Sequence, residues 1–317
     1  MLKYLLARLV LLVPVLAGVS ILSFGLIHLI PGDIVSVLAG PNVAADSDVA
    51  DNIRKSLHLD RPVLVQYGYW ISGVLQGDFG RSLVQGLPVG PQIASRLPIT
   101  LMLTAIALVM AVVVGLPGGV WAATTRGRLP DIGLRVAALL GLSTPAFFAG
   151  VAMVLLLSIY FPSIQVFQAI DLRADFLGGL KNLILPGFVL SLASAATVMR
   201  YTRGAMLEVM REQYVVTARA KGAGRLRVLL RHGLRTALLP VVTAVGVTAA
   251  HLVAGAVVVE QVFGLPGIGQ LMLNAIYHRD YTQIQGTVFV VATMVVLINV
   301  VVDLSYHLLD PRIRQYG

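Results

Sequence analysis

His251, Glu260 and Asp303, with Asn299 beside them, fall in or next to long apolar runs, where a proton relay or an ion site would have to be built. Their spacing does not build one. His251 stands alone in its run and reads as a structural residue. Glu260 falls at the outer end of that run, and Asp303 lies near the inner end of another, within reach of an arginine such as Arg312. No carboxylate–histidine chain of the kind a proton-coupled pump uses is present. The remaining histidines, His28, His58, His232, His278 and His307, are scattered without metal-ligand spacing. The chain has no cysteine, which excludes disulfides, thiolate catalysis and Cys-based metal or iron–sulfur sites. It also lacks a G-x-x-x-x-G-K-[ST] loop to cradle ATP phosphates, an H-E-x-x-H pair and a G-x-S-x-G elbow. The expectation is a chain that binds no cofactor or metal and catalyses no reaction itself.

What remains is the chemistry of contact surfaces. Arg200 to Pro240 is a basic polar stretch between two apolar runs, and its positive charge places it on the cytoplasmic side. Within it, Tyr214 precedes Thr217-Ala218-Arg219-Ala220-Lys221-Gly222, a short small-residue helix ended by glycine. Further on, Leu226, Leu230 and Leu234 recur every four residues beside Arg227, Arg231 and Arg235, an amphipathic pattern suited to the inner leaflet. Read from the residues alone, this is either a solvated loop touching anionic lipid or a low-relief surface that enters a partner's groove. A second candidate is Phe263-Gly264-Leu265-Pro266-Gly267-Ile268-Gly269, whose glycines and proline make a turn with Phe263, Leu265 and Ile268 as an apolar tip. An ordinary interfacial or re-entrant loop has the same composition. Arg279-Asp280-Tyr281 follows and reads as an exposed turn with a local ion pair.

The elements that must position these groups are membrane helices. Of 317 residues, 57% are apolar and 12% charged, with mean hydropathy +0.85. A soluble chain carries about 25% charged residues, so this one has too little polar surface to face water all round. Six apolar runs are expected to cross: Leu9–Ile30, Ile99–Ala123, Val136–Tyr160, Leu183–Met199, Leu238–Val259 and Gly286–Leu309. Pro186, Ser191, Ser194 and Thr197 place the fourth inside the bundle. Gly115, Gly118 and Gly119 with Pro117, and Gly141, Pro145 and Gly150, suit close helix approach. The first run, about 33 Å as a helix, reads as a retained span, not a cleaved signal. The net charge of +9 suggests a polyanion partner until it is mapped onto alternate loops. The excess then falls on one side, as the positive-inside rule expects, and no nucleic-acid partner is needed. Both termini are expected in the cytoplasm. Pro31 to Pro98 is the one sizeable hydrophilic segment outside, with helical candidates at Val49–Leu59 and Val63–Leu75 separated by Asp60-Arg61-Pro62. The expected organisation is therefore residues 1–30, an extracytoplasmic helical insertion at 31–98, and a core at 99–317 carrying an inner loop at 200–237 and an outer loop at 260–285.

The run YVVTARAKG…LLRHGLRTALLPVV resembles the cytoplasmic coupling loop of permease subunits of ATP-driven, binding-protein-dependent importers. GVSILSFGLIHLIPGD, LHLDRPVLVQY, GDFGRS, VVVEQVFGLPGIG and HRDYTQIQG…LLDPRIR extend the likeness over nearly the whole chain, to the B-type permease of dipeptide and oligopeptide importers. Val216 stands where the general importer motif has glutamate, and the spacing from Gly222 to Pro240 is longer than in that motif. The resemblance implies an all-α inner-membrane protein of the type I importer kind, with six transmembrane helices and a small extracytoplasmic insertion between the first two. It implies a second homologous permease, two cytoplasmic ATPase subunits holding ATP and Mg, and an extracytoplasmic substrate-binding protein, with lipid around them. Tyr214 and Thr217 to Gly222 would then couple to the ATPase. Phe263 to Ile268 and Arg279 to Tyr281 would meet the binding protein. Short peptides are the implied cargo, with nickel or another small solute as the alternative in the same family. A secondary transporter is the reading outside it.

Overall fold

The computed structural model describes residues 2–28, 60–82, 84–163, 166 and 175–309. Among these residues the regular structure is helical, apart from one bridge between Arg81 and Pro88. The helices are α1 (Leu2–His28), α2 (Val63–Leu75), α3 (Val89–Thr124), α4 (Leu129–Ser143) and α5 (Ala146–Tyr160). They continue with α6 (Phe176–Val209), α7 (Gln213–Ala220), α8 (Arg225–Phe263), α9 (Ile268–Tyr277) and α10 (Tyr281–Leu309).

Four of these, α3, α6, α8 and the Tyr281–Val302 stretch of α10, are long and apolar enough to cross a bilayer. The expected span Val136–Tyr160 is not one straight helix. It is the pair α4 and α5, bent by 104°. The cause is Pro145, whose ring disfavours helical backbone at the residue before it. Thr144 accordingly sits at φ −86°, ψ 116°, and Pro145 starts α5. The expected helix at Val49–Leu59 and the Arg312 partner proposed for Asp303 lie outside the described residues.

Two compact units make up the chain, one centred on Pro98–Gly269 and the other on Ala7–Leu97 with Gln270–Val296. In the first, α6 and α8 pack on each other and on α3, around Leu103, Leu183, Val189, Leu252, Ala256, Val259 and Phe263. The most buried of the long apolar helices is α6, as its serines, threonine and proline predicted. Close approach of α3 to α6 depends on glycine. A Cβ at Gly115 would stand 2.6 Å from the Ala195 carbonyl oxygen, and one at Gly119 would stand 2.5 Å from Thr202 Cβ. With 34 residues, α6 is about 51 Å long, well beyond a hydrocarbon core of about 30 Å. Its last turns, from Arg200 on, extend past the apolar stretch.

In the second unit α2 begins at Val63, directly after Pro62, where the sequence placed it. It is held to α1 by an aromatic cluster: Phe24 lies 5.5 Å from the ring of Tyr67 and 5.8 Å from Trp70. Trp70 meets Phe289 edge-on at 5.7 Å, which brings α10 to the same cluster. The hydroxyls of Ser20 and Tyr67 share a hydrogen bond of 2.7 Å, giving the tyrosine its polar partner.

Candidate functional site

After α6 the basic loop folds into one short helix and the first turns of α8. Gln213–Ala220 forms α7, whose N-terminus follows Glu212 and whose C-terminus is closed at Gly222 with φ 81°. That left-handed position is the one glycine fills without strain. The closure is completed by the Gly222 N–H on the Arg219 carbonyl and the Ala223 N–H on that of Ala218. Val215 is the inward residue of α7, buried against Ala205, Met206, Val209, Val228 and Ala237. Val216, Thr217, Arg219, Ala220 and Lys221 are exposed, and Ala218 is half-buried.

Tyr214 ties α7 to the start of α8: its hydroxyl lies 3.1 Å from Thr236 Oγ1 and 3.4 Å from the His232 carbonyl. The expected grouping of Tyr214 with Thr217 to Gly222 therefore exists as one exposed helix with one buried foot and one side-chain tether. The leucine repeat at 226, 230 and 234 is also helical, but its middle is π-helical from Val228 to Leu234. The extra residue per turn moves Leu234 off the exposed face of Leu226 and Leu230, so it packs on the α7 core. Beside α7 a cavity of about 490 Å³ is lined by Arg219, Arg225, Met206, Met210 and Leu229.

An ion pair not anticipated from the sequence stands behind this loop. Asp131, 1% exposed in the first turn of α4, accepts two bonds from Arg203 of α6, at 2.7 and 3.0 Å. It also accepts from the Gly127 N–H at 2.9 Å, and Arg135 lies 3.6 Å away. Asp131 precedes the apolar run from Val136 and Arg203 follows the one ending at Met199. The bonds from Arg203 hold the Asp131 carboxyl down at about 2, against the ordinary 3.8. The sequence shows Asp131 only as one acid among many inner arginines, so its partner was not legible.

The external loop departs from expectation. Phe263, Leu265 and Ile268 do not form an exposed apolar tip; they are 2%, 3% and 0% exposed. Gly264, at φ 63°, ends α8 in a left-handed turn that sends the chain back over it, and the Leu265 N–H bonds to the Glu260 carbonyl at 2.9 Å. Phe263 and Leu265 thereby join the core cluster. Gly264 is exposed, Pro266 half-buried and Gly267 buried.

Under the loop, Glu260 is 0% exposed and accepts from Thr100 Oγ1 at 2.5 Å. The same hydroxyl accepts the Ile268 N–H at 2.9 Å. A Cβ on Gly267 would collide with the Glu260 carboxylate, and one on Gly269 with Val257 and Glu260. Two glycines are thus needed to fold the loop against this acid. Thr100 was missed because a threonine in an apolar run carries no signal of its own.

Arg279-Asp280-Tyr281, in the second unit, is likewise not an exposed turn throughout. Arg279 is exposed at φ 55°, but Asp280 is 4% exposed and Tyr281 half-buried. Asp280 starts α10: its side chain accepts the Gln283 N–H at 3.3 Å and a short bond from the Ser82 hydroxyl. Aspartate is a favoured N-cap, and Asp280 fills that role here.

Residues 115–315 match the family described as the inner membrane component of binding-protein-dependent transport systems, and residues 1–104 match the N-terminal region of that component. The chain belongs to this family. It is a permease-family membrane protein that crosses the bilayer several times. It is 38% identical over 337 residues to the dipeptide transport system permease protein DppB of Escherichia coli K12, covering 99% of each chain. To the glutathione transport system permease protein GsiC of the same strain it is 40% identical over 314 residues, again covering 99% of each. Among solved structures it is similar to a chain of the inward-facing MetNI methionine ABC transporter. That match has a TM-score of 0.55 and 21% identity, over 69% of this chain and 96% of that one, and supports the fold alone.

Proposed function

We propose that this chain is a six-span permease subunit of an ATP-driven importer of short peptides, in which Tyr214 and Thr217 to Gly222 take the stroke of a separate ATPase. The sixth span of this count is α1, and the bent pair α4–α5 serves as one. The permease pairs with a second, related permease, engages two cytoplasmic ATPase subunits that hold ATP and Mg, and receives cargo from an extracytoplasmic binding protein. Its residues Arg200 to Pro240 and both termini lie in the cytoplasm, and Pro31 to Pro98 lies outside. Peptide cargo is supported by the whole-length likeness to dipeptide and glutathione permeases.

The observation that carries the coupling role is α7 itself. It is a helix with Thr217 and Ala220 exposed and Ala218 half-buried, footed by one buried valine and strapped through Tyr214 to α8. A push on such a helix moves α8 as a lever, which is how a local change becomes a rigid-body shift. ATP binding on the partner closes the ATPase pair and opens the permease cavity outward. The free energy comes from the different nucleotide affinities of the two states, not from chemistry on this chain. In this scheme Pro266 and Gly264, the accessible part of the outer turn, meet the binding protein, with Arg279 as a further contact.

Crosslinks from a photoreactive group at Ala220 test the reading. An adduct with an ATPase subunit is expected, and labelling of phospholipid alone would end it. The paired change Ala218→Asp and Gly222→Asp should leave expression intact while ATP-driven uptake stops. Uptake that survives ATP depletion would point to a secondary transporter instead.

A further inference from the structure

Between α6 and α8 lies an open cavity of about 520 Å³ that no motif marked. Its walls repeat along both helices: Ala193, Thr197 and Tyr201 on α6, and Thr243, Val247 and His251 on α8, each set spaced by four. Arg200 and Pro240 close its inner end, and Ser194 and Thr248 lie deeper. The α6 residues span about 12 Å along the axis and the α8 residues from Pro240 about 16 Å, roughly half the thickness of the hydrocarbon core.

Three features of this face conflict with contact to lipid. Arg200, Tyr201, Thr243 and His251 are all exposed on it. His251 falls within the apolar run of α8, and ionisable groups at membrane depth face a bundle interior or a water-filled path, not acyl chains. Arg200 sits at the inner end, where α6 leaves its apolar stretch. The face is also one-signed: among the described residues Arg200 and His251 line it, and no aspartate or glutamate does. Arg200 pairs with no carboxylate among the described residues. By contrast Arg203, three residues on, is fully engaged by Asp131. A guanidinium kept available beside hydroxyls, at the mouth of a cavity sized for a small molecule, suits a carboxylate.

We propose that this cavity is a segment of the translocation path and that Arg200 receives the terminal carboxylate of the passing peptide. The proposal rests on the peptide-permease reading and adds to it a site and a charge preference. Thr197, Thr243 and Ser194 offer hydroxyls that bond a peptide backbone without regard to its side chains. Val247 and Pro240 supply the apolar remainder. Loose, side-chain-blind contacts of this kind suit a path, because cargo must leave as readily as it enters.

The test uses the complete transporter, with its second permease, ATPases and binding protein, in liposomes. A photoreactive benzoylphenylalanine replaces Val247, which is 57% exposed, and radiolabelled dialanine is supplied during turnover. A dipeptide adduct is expected at Val247 and none from the same probe at Leu139, which is exposed but does not line the cavity. Arg200→Gln should lower the Val247 adduct about tenfold, the loss of one charge-assisted bond, while Arg200→Lys retains most of it. Arg200 is exposed, so neither change threatens folding. Adducts only to the second permease or to lipid, with wild-type uptake proceeding, would overturn the site. So would an Arg200→Gln adduct equal to the wild type. Absence of dialanine uptake by the wild type would instead overturn the peptide reading beneath it.

Discussion

Thr100 has one proton and uses it in a fixed direction. Its oxygen accepts the Ile268 N–H, so the hydroxyl hydrogen is turned to Glu260, and one side chain joins α3, the end of α8 and the outer turn. Thr100→Val keeps the shape but removes one hydrogen bond from each of two buried groups, Glu260 and the Ile268 N–H, a loss of about 1–3 kcal/mol. The purified complex should melt at lower temperature, and protease should cut the Gly264–Gly269 turn sooner. An unchanged melting temperature would mean that the hydroxyl is not the clasp. Asp131 makes a second residue-scale case, with a definite pH signature. Its carboxyl is held down near 2, so the stability it contributes is present above its ordinary value of 3.8. That contribution fades as pH falls from about 4 toward 2, where the folded form is finally protonated as well. Melting temperatures measured from about pH 6 downward should therefore decline in the wild type, while Asp131→Asn, already weakened, loses this component of the slope.

At the scale of elements, glycine sets the distance between α3 and α6. Gly119→Val would place carbon against Thr202 Cβ and the Met199 carbonyl, both part of a helix that cannot step aside locally. Overpacking of this kind costs roughly 1–3 kcal/mol, and here it also pushes α6 and the α7 loop that follows it. Uptake should fall more than expression does, as read by transport per copy of assembled complex. The small residues on α3 announced that approach from the sequence, and α2 was legible to the residue because Pro62 fixes its start. The kink after Ser143 was not, even though Pro145 was noted, because a proline among small residues signals equally well a mild bend or a full break. The outer turn failed for a different reason. Phe263, Leu265 and Ile268 look like a tip when only composition is counted, and only the left-handed turn at Gly264 decides that they point inward. Thr100, Asp131 and the α6–α8 cavity belong to the same class: each is made by pairing residues far apart in the chain, and no local pattern encodes that.

For the whole molecule the governing quantity is the sidedness of charge. Sixteen of the 24 basic residues fall in the segments read as inner, and the acids there are few, so the assignment of sides rests on one asymmetry. That asymmetry also decides the sense of the mechanism, because α7 meets an ATPase only if it faces the cytoplasm and the Arg200 end of the cavity is an exit only on that side. The absence of cysteine makes the point directly measurable, since every introduced thiol is the sole one in the chain. Lys221→Cys and Gln85→Cys are both at exposed positions, so access depends on side alone and not on burial. In sealed right-side-out vesicles an impermeant maleimide should label Gln85→Cys at once and Lys221→Cys only after the membrane is opened. Neither residue lines the proposed cargo cavity, so the labelling pattern reads topology separately from transport. Prompt labelling of Lys221→Cys would reverse the molecule in the bilayer, and the coupling role of α7 and the exit role of Arg200 would fall together.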